Sequence, residues 1–328
     1  MEGKVRVDES SSTKSVVLGE PYPRNVSAST MLFIGVSTGK SFVHKVFPKW
    51  LEIAKVQAQL RGVDLQPNSP KASYESVVNY IRNEEKILGA LVTTHKTNIF
   101  NYTKSFFRYV SESADQLGEV GVIYKIDGQL ACDAPDPMAQ LYVLRNIVDQ
   151  DHWRKSKASA LIFGAGGAGV ALAYNLLSQE NGPMQVIITE VSTTRIEQVN
   201  KILKKYVNSG RAKIIKAQEG ENELLLKSLA PGSLVANATG MGKDLPGNPI
   251  SETAIFPEQG IIWEFNYRGD LQFLDMAKRQ QAHRQLIVED GWDYFVFGWT
   301  HVMSRVFSFE VTEDLSFKFL AAAKEARD

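Results

Sequence analysis

Residues 158–163, ASALIF, form an apolar run of strand length that ends directly on Gly164-Ala-Gly-Gly-Ala-Gly169, and an apolar helix-forming stretch follows from Val170 to Leu177. A strand, a GxGxxG turn and a helix in immediate succession restrict the possible folds more than anything else in the chain. Gly164 permits the tight turn, Gly166 lets the backbone approach a pyrophosphate, and Gly169 lets the helix pack close to the strand. Gly167 and Ala168 complete the loop, whose amides open the helix and favour negative charge there. Alone the pattern is weak, because a glycine turn also closes sheets that bind nothing. Here the apolar run 184–189, MQVIIT, ends at Glu190, about two dozen residues on, where a ribose-binding acid is expected. Two further strands are predicted at 233–239 and 260–265. The first carries Asn237, Ala238 and Thr239 into Gly240-Met-Gly242, and both should open onto the same crevice.

The first half of the chain has a different character. The run 31–36, MLFIGV, reads as a buried strand that ends at Ser37-Thr-Gly-Lys-Ser41. Phe42, Val43, Val46, Phe47, Trp50, Leu51 and Ala54 then have helical spacing, interrupted by Pro48. A second helix is expected over 72–83 and a strand over 88–94, leading to His95 and Lys96. The stretch 97–117 reads as helical, and Asp127-Gly128 as a hairpin turn. The charged segment 149–157 reads as the hinge. These elements predict an α/β protein with an N-terminal α/β substrate-binding domain and a Rossmann-type doubly wound parallel sheet. The expected divisions are a disordered tail over 1–28, a substrate domain over 29–150 completed by a C-terminal helix over 291–328, and a dinucleotide domain over 151–290.

The 37 basic and 37 acidic residues cancel, and no basic stripe of the kind nucleic acid requires is present. The expected partner is therefore a small molecule, not nucleic acid or a membrane. One cysteine, Cys132, cannot form an intrachain disulfide or build a metal site alone; no resident metal is expected, and a reducing, cytoplasmic setting is.

With both halves read, the order of motifs from about residue 31 onward resembles the shikimate/quinate dehydrogenase family. Val92-Thr93 followed by Lys96 is similar to that family's V-T-x-P-x-K segment, and Gly118-Glu-Val120 with Asp127-Gly128 is similar to its A-G-A-V-N-T and D-G stretches. Asp136 falls where N-T-D has its aspartate. Asn237-Ala-Thr239 with Gly242 resembles N-A-T-x-x-G, and residues 267–274 resemble Y-x-P-x-x-T-x-L. The resemblance implies hydride transfer between a nicotinamide ring and a ring hydroxyl or ketone of a cyclic polyol or polyhydroxy acid. Lys96 and Asp136 would be the catalytic pair, with Ser41, Thr93 and Tyr267 on the substrate side. His95 is a polar newcomer beside the lysine, placed with the substrate-side residues as a contact or a modulator of the lysine's pKa, with a structural hydrogen bond as the other reading.

Departures from the pattern are concentrated on the substrate side. The paired serines of H-S-x-S-P are represented only by Ser41, the lysine loop is one residue shorter and lacks its proline, and the asparagine of V-N-T is replaced by Gly121. A late glutamine falls at Gly298. Shikimate is therefore expected to be a poor substrate, and a different cyclic polyol, sugar-derived acid or keto acid is an equal expectation. NAD is expected in preference to NADP, because Glu190-Val191-Ser192 stands where the family's NADP users carry N-R-T/S. A catalytically silent nucleotide- or metabolite-binding regulator of the same fold is the alternative. A folate-type methylene dehydrogenase is disfavoured by the Asp-Gly hairpin and the Asp136 segment.

Overall fold

The computed structural model describes residues 16–17, 26–243 and 245–327, and the chain divides into two compact units. One unit runs up to Pro135 and resumes at Trp299; the other is Asp136–Gly298. Most of the segment expected to be a disordered tail lies outside the described residues. Its Val16–Val17 pairs in parallel with Val63 and Asp64 as an edge strand.

The first unit is built on a sheet of order β1-β3-β2-β4-β6-β7-β5. Its strands are β1 (Val16–Val17), β2 (Thr30–Gly35), β3 (Gln59–Asp64), β4 (Ile87–Val92), β5 (Tyr109–Val110), β6 (Val122–Ile126) and β7 (Gln129–Asp133). β2, β3 and β4 are parallel, and their crossovers carry helices α1 (Val43–Ala54) and α2 (Lys71–Asn83). Every residue of β2 is buried, as expected of a parallel strand covered on both faces. β6 and β7 form the antiparallel hairpin, with Asp127 and Gly128 both at positive φ (49° and 74°), as a two-residue I′ turn needs. The stretch 97–117 is not one helix: α3 (Lys96–Thr103) gives way to a 3-10 turn, to β5 and then to α4 (Glu112–Leu117). Ser111 accepts the Ala114 N–H as the cap of α4, which is what ends β5 and restarts helix.

The second unit holds α5 (Asp136–Ile147), α6 (His152–Ser156) and a sheet of order β10-β9-β8-β11-β12-β13 in which every pair is parallel. Its strands are β8 (Ala160–Phe163), β9 (Val186–Glu190), β10 (Ala212–Lys216), β11 (Leu234–Asn237), β12 (Ile261–Glu264) and β13 (Ile287–Glu289). Helices α7 (Gly167–Ser178), α8 (Thr193–Ile202), α9 (Lys204–Asn208), α10 (Glu221–Lys227) and α11 (Gln272–Arg284) make the connections. Numbered within this unit the order is 3-2-1-4-5-6, the doubly wound arrangement, and it reverses between β8 and β11. The charged segment read as a hinge contains α6, which lies within this unit; the division between the units falls earlier, at Pro135 and Asp136.

Helix α12 (Trp292–Phe307) begins in the second unit and ends in the first, followed by α13 (Glu313–Arg327). In the first unit Trp299 packs edge-on to Phe33 of β2 at 4.9 Å, and Trp50 of α1 donates to the Phe319 carbonyl at 3.0 Å. Gly89 lets Val306 settle on the sheet, because a Cβ there would lie 2.3 Å from the Ile123 carbonyl and 2.9 Å from Val306 Cγ2. Gly89→Ala should therefore destabilise this unit by about 2–3 kcal/mol, measured as a lower midpoint of urea unfolding; an unchanged midpoint would show that the helix yields without cost.

Candidate active site

The glycine loop sits at the strand-order reversal, at the carboxyl ends of β8 and β11. Gly164 has φ 92°, and a Cβ there would meet the Ala238 backbone and the Thr239 Cα at 2.9 Å, so the loop and the β11 exit are as close as two backbones can pack. A Cβ on Gly169 would lie 2.1 Å from the Gly164 carbonyl. Gly166 differs: nothing lies within 4 Å of its would-be Cβ, and it opens α7 without a side-chain cap. Space beside a helix N-terminus is what a pyrophosphate needs, so these residues fit a dinucleotide.

Glu190, at the end of β9, is tied into that loop. Its Oε2 accepts the Ala165 N–H at 3.1 Å, and its Oε1 accepts those of Val191 and Ser192 at 2.8 and 2.9 Å. Arg195 Nε donates to the Ala165 carbonyl at 2.6 Å, so the N–H and the C=O of one residue of the glycine loop, in two successive peptides, are both held by charged groups. Asn237, buried at the end of β11, belongs to a second network. Its amide donates to Glu264 Oε2 at 2.7 Å, while its Oδ1 accepts from the Thr239 hydroxyl at 2.7 Å and N–H at 3.2 Å. The Thr239 hydroxyl accepts the Met241 N–H, the Met241 carbonyl accepts from the Asn266 amide, and the Asn266 N–H returns to Glu264 Oε1 at 2.8 Å. The ring fixes the loop after β11, where Gly242 turns at φ 83° and its carbonyl accepts the Asp270 N–H. Glu264 was not picked out from the sequence; an acid ending a buried strand beside an asparagine-ended one was the available signal.

Asp136 opens α5, with 8% of its surface exposed. The structure carries it on the second unit rather than the first: Asn175 of α7 donates to the Pro137 carbonyl at 2.8 Å, and Gln140 donates to the Ala168 carbonyl at 2.8 Å. Tyr267 packs on Phe295 at 4.5 Å and Trp292 at 5.9 Å in an aromatic cluster of the same unit.

On the first unit, Lys96 is the first residue of α3 and is half-buried. The loop that delivers it is strained: Thr94, a β-branched residue, has φ 54°, and the His95 N–H turns back to the Thr93 carbonyl. Thr93 stands over Gly35, where a Cβ would be 2.8 Å from its hydroxyl. Ser41 accepts the Val43 N–H at 3.3 Å at the start of α1. Thr38, unremarked in the sequence, is buried at the same strand ends with no hydrogen-bond partner for its hydroxyl. Of the two readings of His95, the geometry has the features of the structural hydrogen bond. The residue is 1% exposed; its Nε2 donates to the Leu65 carbonyl at 3.0 Å and its Nδ1 lies 3.3 Å from the Tyr74 hydroxyl, which accepts from Asn98. Burial lowers its pKa, so it is a neutral packing residue under the lysine loop.

Among the described residues no cluster of His, Cys, Asp or Glu could hold a metal ion, and no helix is long and apolar enough to cross a membrane. No protein-family profile matches the chain. It is 23% identical over 182 residues to the shikimate dehydrogenase (NADP(+)) of Lactococcus lactis subsp. cremoris, a match over 55% of this chain and 61% of that enzyme. Solved structures of similar fold include the Thermus thermophilus shikimate 5-dehydrogenase in complex with NADP(H) and shikimate, at TM-score 0.67 and 19% identity over 90% of this chain and 99% of that one. The Corynebacterium glutamicum quinate dehydrogenase in complex with NAD gives 0.66 and 17% over 90% and 99%. The Aquifex aeolicus shikimate dehydrogenase gives 0.69 and 17% over 93% and 100%.

Burial pushes the Glu264 carboxyl up to about 7, against the hydrogen bonds that favour its charge. A carboxyl raised in the folded state contributes stability that is fully present below its ordinary value near 4.5 and is lost as pH rises through about 7. The loss is about 3 kcal/mol at most. Glu289, pushed to about 7 by burial and then by Asp293 and Asp290, adds a slope of the same sign. Glu264→Gln should therefore flatten, without abolishing, the fall in unfolding free energy from mildly acidic to mildly alkaline pH; an unaltered slope would refute this account. The chain has the fold of the shikimate and quinate dehydrogenases and is a remote sequence relative of one of them.

Proposed function

We propose that the protein is a nicotinamide-dependent oxidoreductase of the shikimate/quinate dehydrogenase type, acting on a ring hydroxyl or ketone of a cyclic polyol or polyhydroxy acid. The observation that carries this reading is the glycine loop at the β8/β11 reversal, left open at Gly166 and anchored by Glu190. A bound nicotinamide supplies the hydride acceptor or donor. Gly164, Gly166, Gly167, Ala168 and Gly169 hold the pyrophosphate, and Asn237, Ala238, Thr239 and Gly242 shape the opposite rim. Lys96 takes the hydroxyl proton in oxidation and returns it in reduction, and Asp136 orients the lysine and the substrate hydroxyl. Ser41, Thr93 and Tyr267 are the substrate-side residues. The losses of the second serine and of the asparagine at Gly121 make shikimate a poor substrate, since a polar ligand left without its partners is rejected.

NAD is the preferred cofactor in this reading. Glu190 is held at the end of β9 by three backbone amides, where a carboxylate accepts both ribose hydroxyls and repels a 2′-phosphate. Arg195, a cation close by on α8 that could favour a 2′-phosphate, donates to the Ala165 carbonyl. Titration of the protein with both cofactors should show NAD binding more tightly, and Glu190→Ala should narrow the gap; tighter NADP binding by the unaltered protein would overturn the preference.

The catalytic pair is tested on whichever substrate a screen of cyclic polyols and their acids identifies, shikimate and quinate included. Lys96→Ala should lower kcat by about 10²- to 10⁴-fold, with the affinity for cofactor nearly unchanged. Asp136→Asn should also slow turnover, and the double variant should be little worse than the worse single one, as for groups that act together. Near-normal turnover in Lys96→Ala would remove this mechanism.

A further inference from the structure

We propose that Glu119 is a positioning residue that holds the Lys96 side chain charged and in place, an inference that rests on Lys96 being the proton-transfer residue. Glu119 lies in the turn between α4 and β6 and is 3% exposed. The next residue, Val120, donates its N–H to the Lys96 carbonyl at 3.1 Å, so the two backbones run side by side. The Thr97 hydroxyl lies 3.5 Å from Glu119 Oε1. These two contacts set the carboxylate against the first turn of α3, the turn that Lys96 opens. The positive end of the helix stabilises a carboxylate there, and an ammonium rooted in the same turn is its natural counter-ion.

A carboxylate removed from water is costly unless opposite charge or donors compensate it, and the half-buried lysine that opens the adjacent turn is the group this proposal assigns to that compensation. The resembling motif has a small apolar residue at this position, in A-G-A-V-N-T, whereas this chain has Gly118-Glu-Val120. The substitution accompanies the other local change: the lysine loop is one residue shorter and turns through Thr94 at φ 54°. A shorter loop with a different path shifts the root of the lysine, and Glu119 supplies a new point to which its ammonium is drawn.

The ionisable groups on the elements around the turn have partners of their own. His95 and Tyr74 lie behind it, bonded to one another, and burial keeps the imidazole neutral. Tyr102 of α3 stacks on Tyr74 at 5.7 Å, Lys71 and Glu75 of α2 pair with each other, and Lys104 pairs with Asp115 of α4 beyond the far end of α3. Arg82 of α2 is bonded to Asn79 and the Phe106 carbonyl, and Glu112 of α4 accepts from Gln116. Asp136, the other acid of the proposed mechanism, belongs to the second unit.

The test reads the lysine directly, so that it does not depend on finding a substrate. Lysine amines of the full-length protein are labelled competitively with acetic anhydride from neutral to alkaline pH, and the fraction modified at Lys96 is followed by peptide mass spectrometry. Glu119→Gln, which keeps the shape and removes the charge, should lower the pH midpoint of Lys96 reactivity by about one unit, with Lys104 unmoved as the internal reference. Glu119→Ala should show the same shift and guards against a defect peculiar to the glutamine. In an active preparation the acidic limb of kcat/KM for alcohol oxidation should move down by the same amount, raising activity about tenfold on that limb. A shifted midpoint in a protein that oxidises no alcohol would retain the Glu119–Lys96 coupling and overturn only the dehydrogenase reading. An unmoved midpoint in both folded variants would overturn the coupling itself.

Discussion

The contact between the glycine loop and the exit of β11 is the constraint on which the second unit depends. Gly164 leaves β8 within van der Waals range of the Ala238 and Thr239 backbone, and Gly169 lets α7 descend onto the Gly164 carbonyl. Neither approach tolerates a Cβ, and together they bring β8, β11 and the first turn of α7 to one point. This is the point at which the strand order reverses and connections depart on opposite sides of the sheet, so a crevice is left between them. Gly166 has no such packing requirement. The open space beside Gly166 is what the proposed cofactor role requires and what a merely tight turn does not.

The buried polar groups of this unit are arranged around the same point. Glu264 would be expensive as an isolated carboxylate, and its raised pKa is the measure of that expense. It is retained within a ring through Asn237, Thr239, Met241 and Asn266 that satisfies the loop after β11. Without those partners the loop would have only its glycine turns to define it. Asp136 is fixed by similar means: Asn175 and Gln140 strap α5 to α7, so the acid at the head of α5 moves with the glycine loop. The candidate acid and the candidate lysine thus belong to different units, whereas sequence order puts both in the first.

The legible parts of the fold were those whose signals are local. The strand, glycine loop and helix of residues 158–177, the hairpin at Asp127-Gly128 and the apolar strands β2, β4, β9, β11 and β12 are each specified by a contiguous pattern. β3, QLRGVD, carries charge at alternate and irregular positions and is a strand because β2 pairs with it along its whole length. β10 and β13 are edge strands with exposed residues, and β5 is two residues long. Their stability comes from neighbours distant in sequence, and no short window contains that information. The same limit explains His95. A histidine next to the candidate lysine can face a cleft or the core, and the path through Thr94 at positive φ turns it inward to Leu65 and Tyr74.

The lysine loop shows how several departures from a resembling pattern can be one structural change. Removing a residue and a proline between Thr93 and Lys96 forces the remaining turn to close over a single peptide, which places a β-branched threonine in a left-handed conformation that costs about 1–3 kcal/mol. Such strain persists only where the surroundings over-determine it. Here the surroundings are specific: the imidazole of His95 is buried and bonded at both nitrogens, Ile99 continues the helix from the His95 carbonyl, and Val120 anchors the Lys96 carbonyl from the neighbouring strand entry. His95, bonded at both nitrogens, is in this light the plug that makes the shortened loop stable. The same path sets the first turn of α3 against the turn before β6, and the acid that lies there beside Thr97 is Glu119.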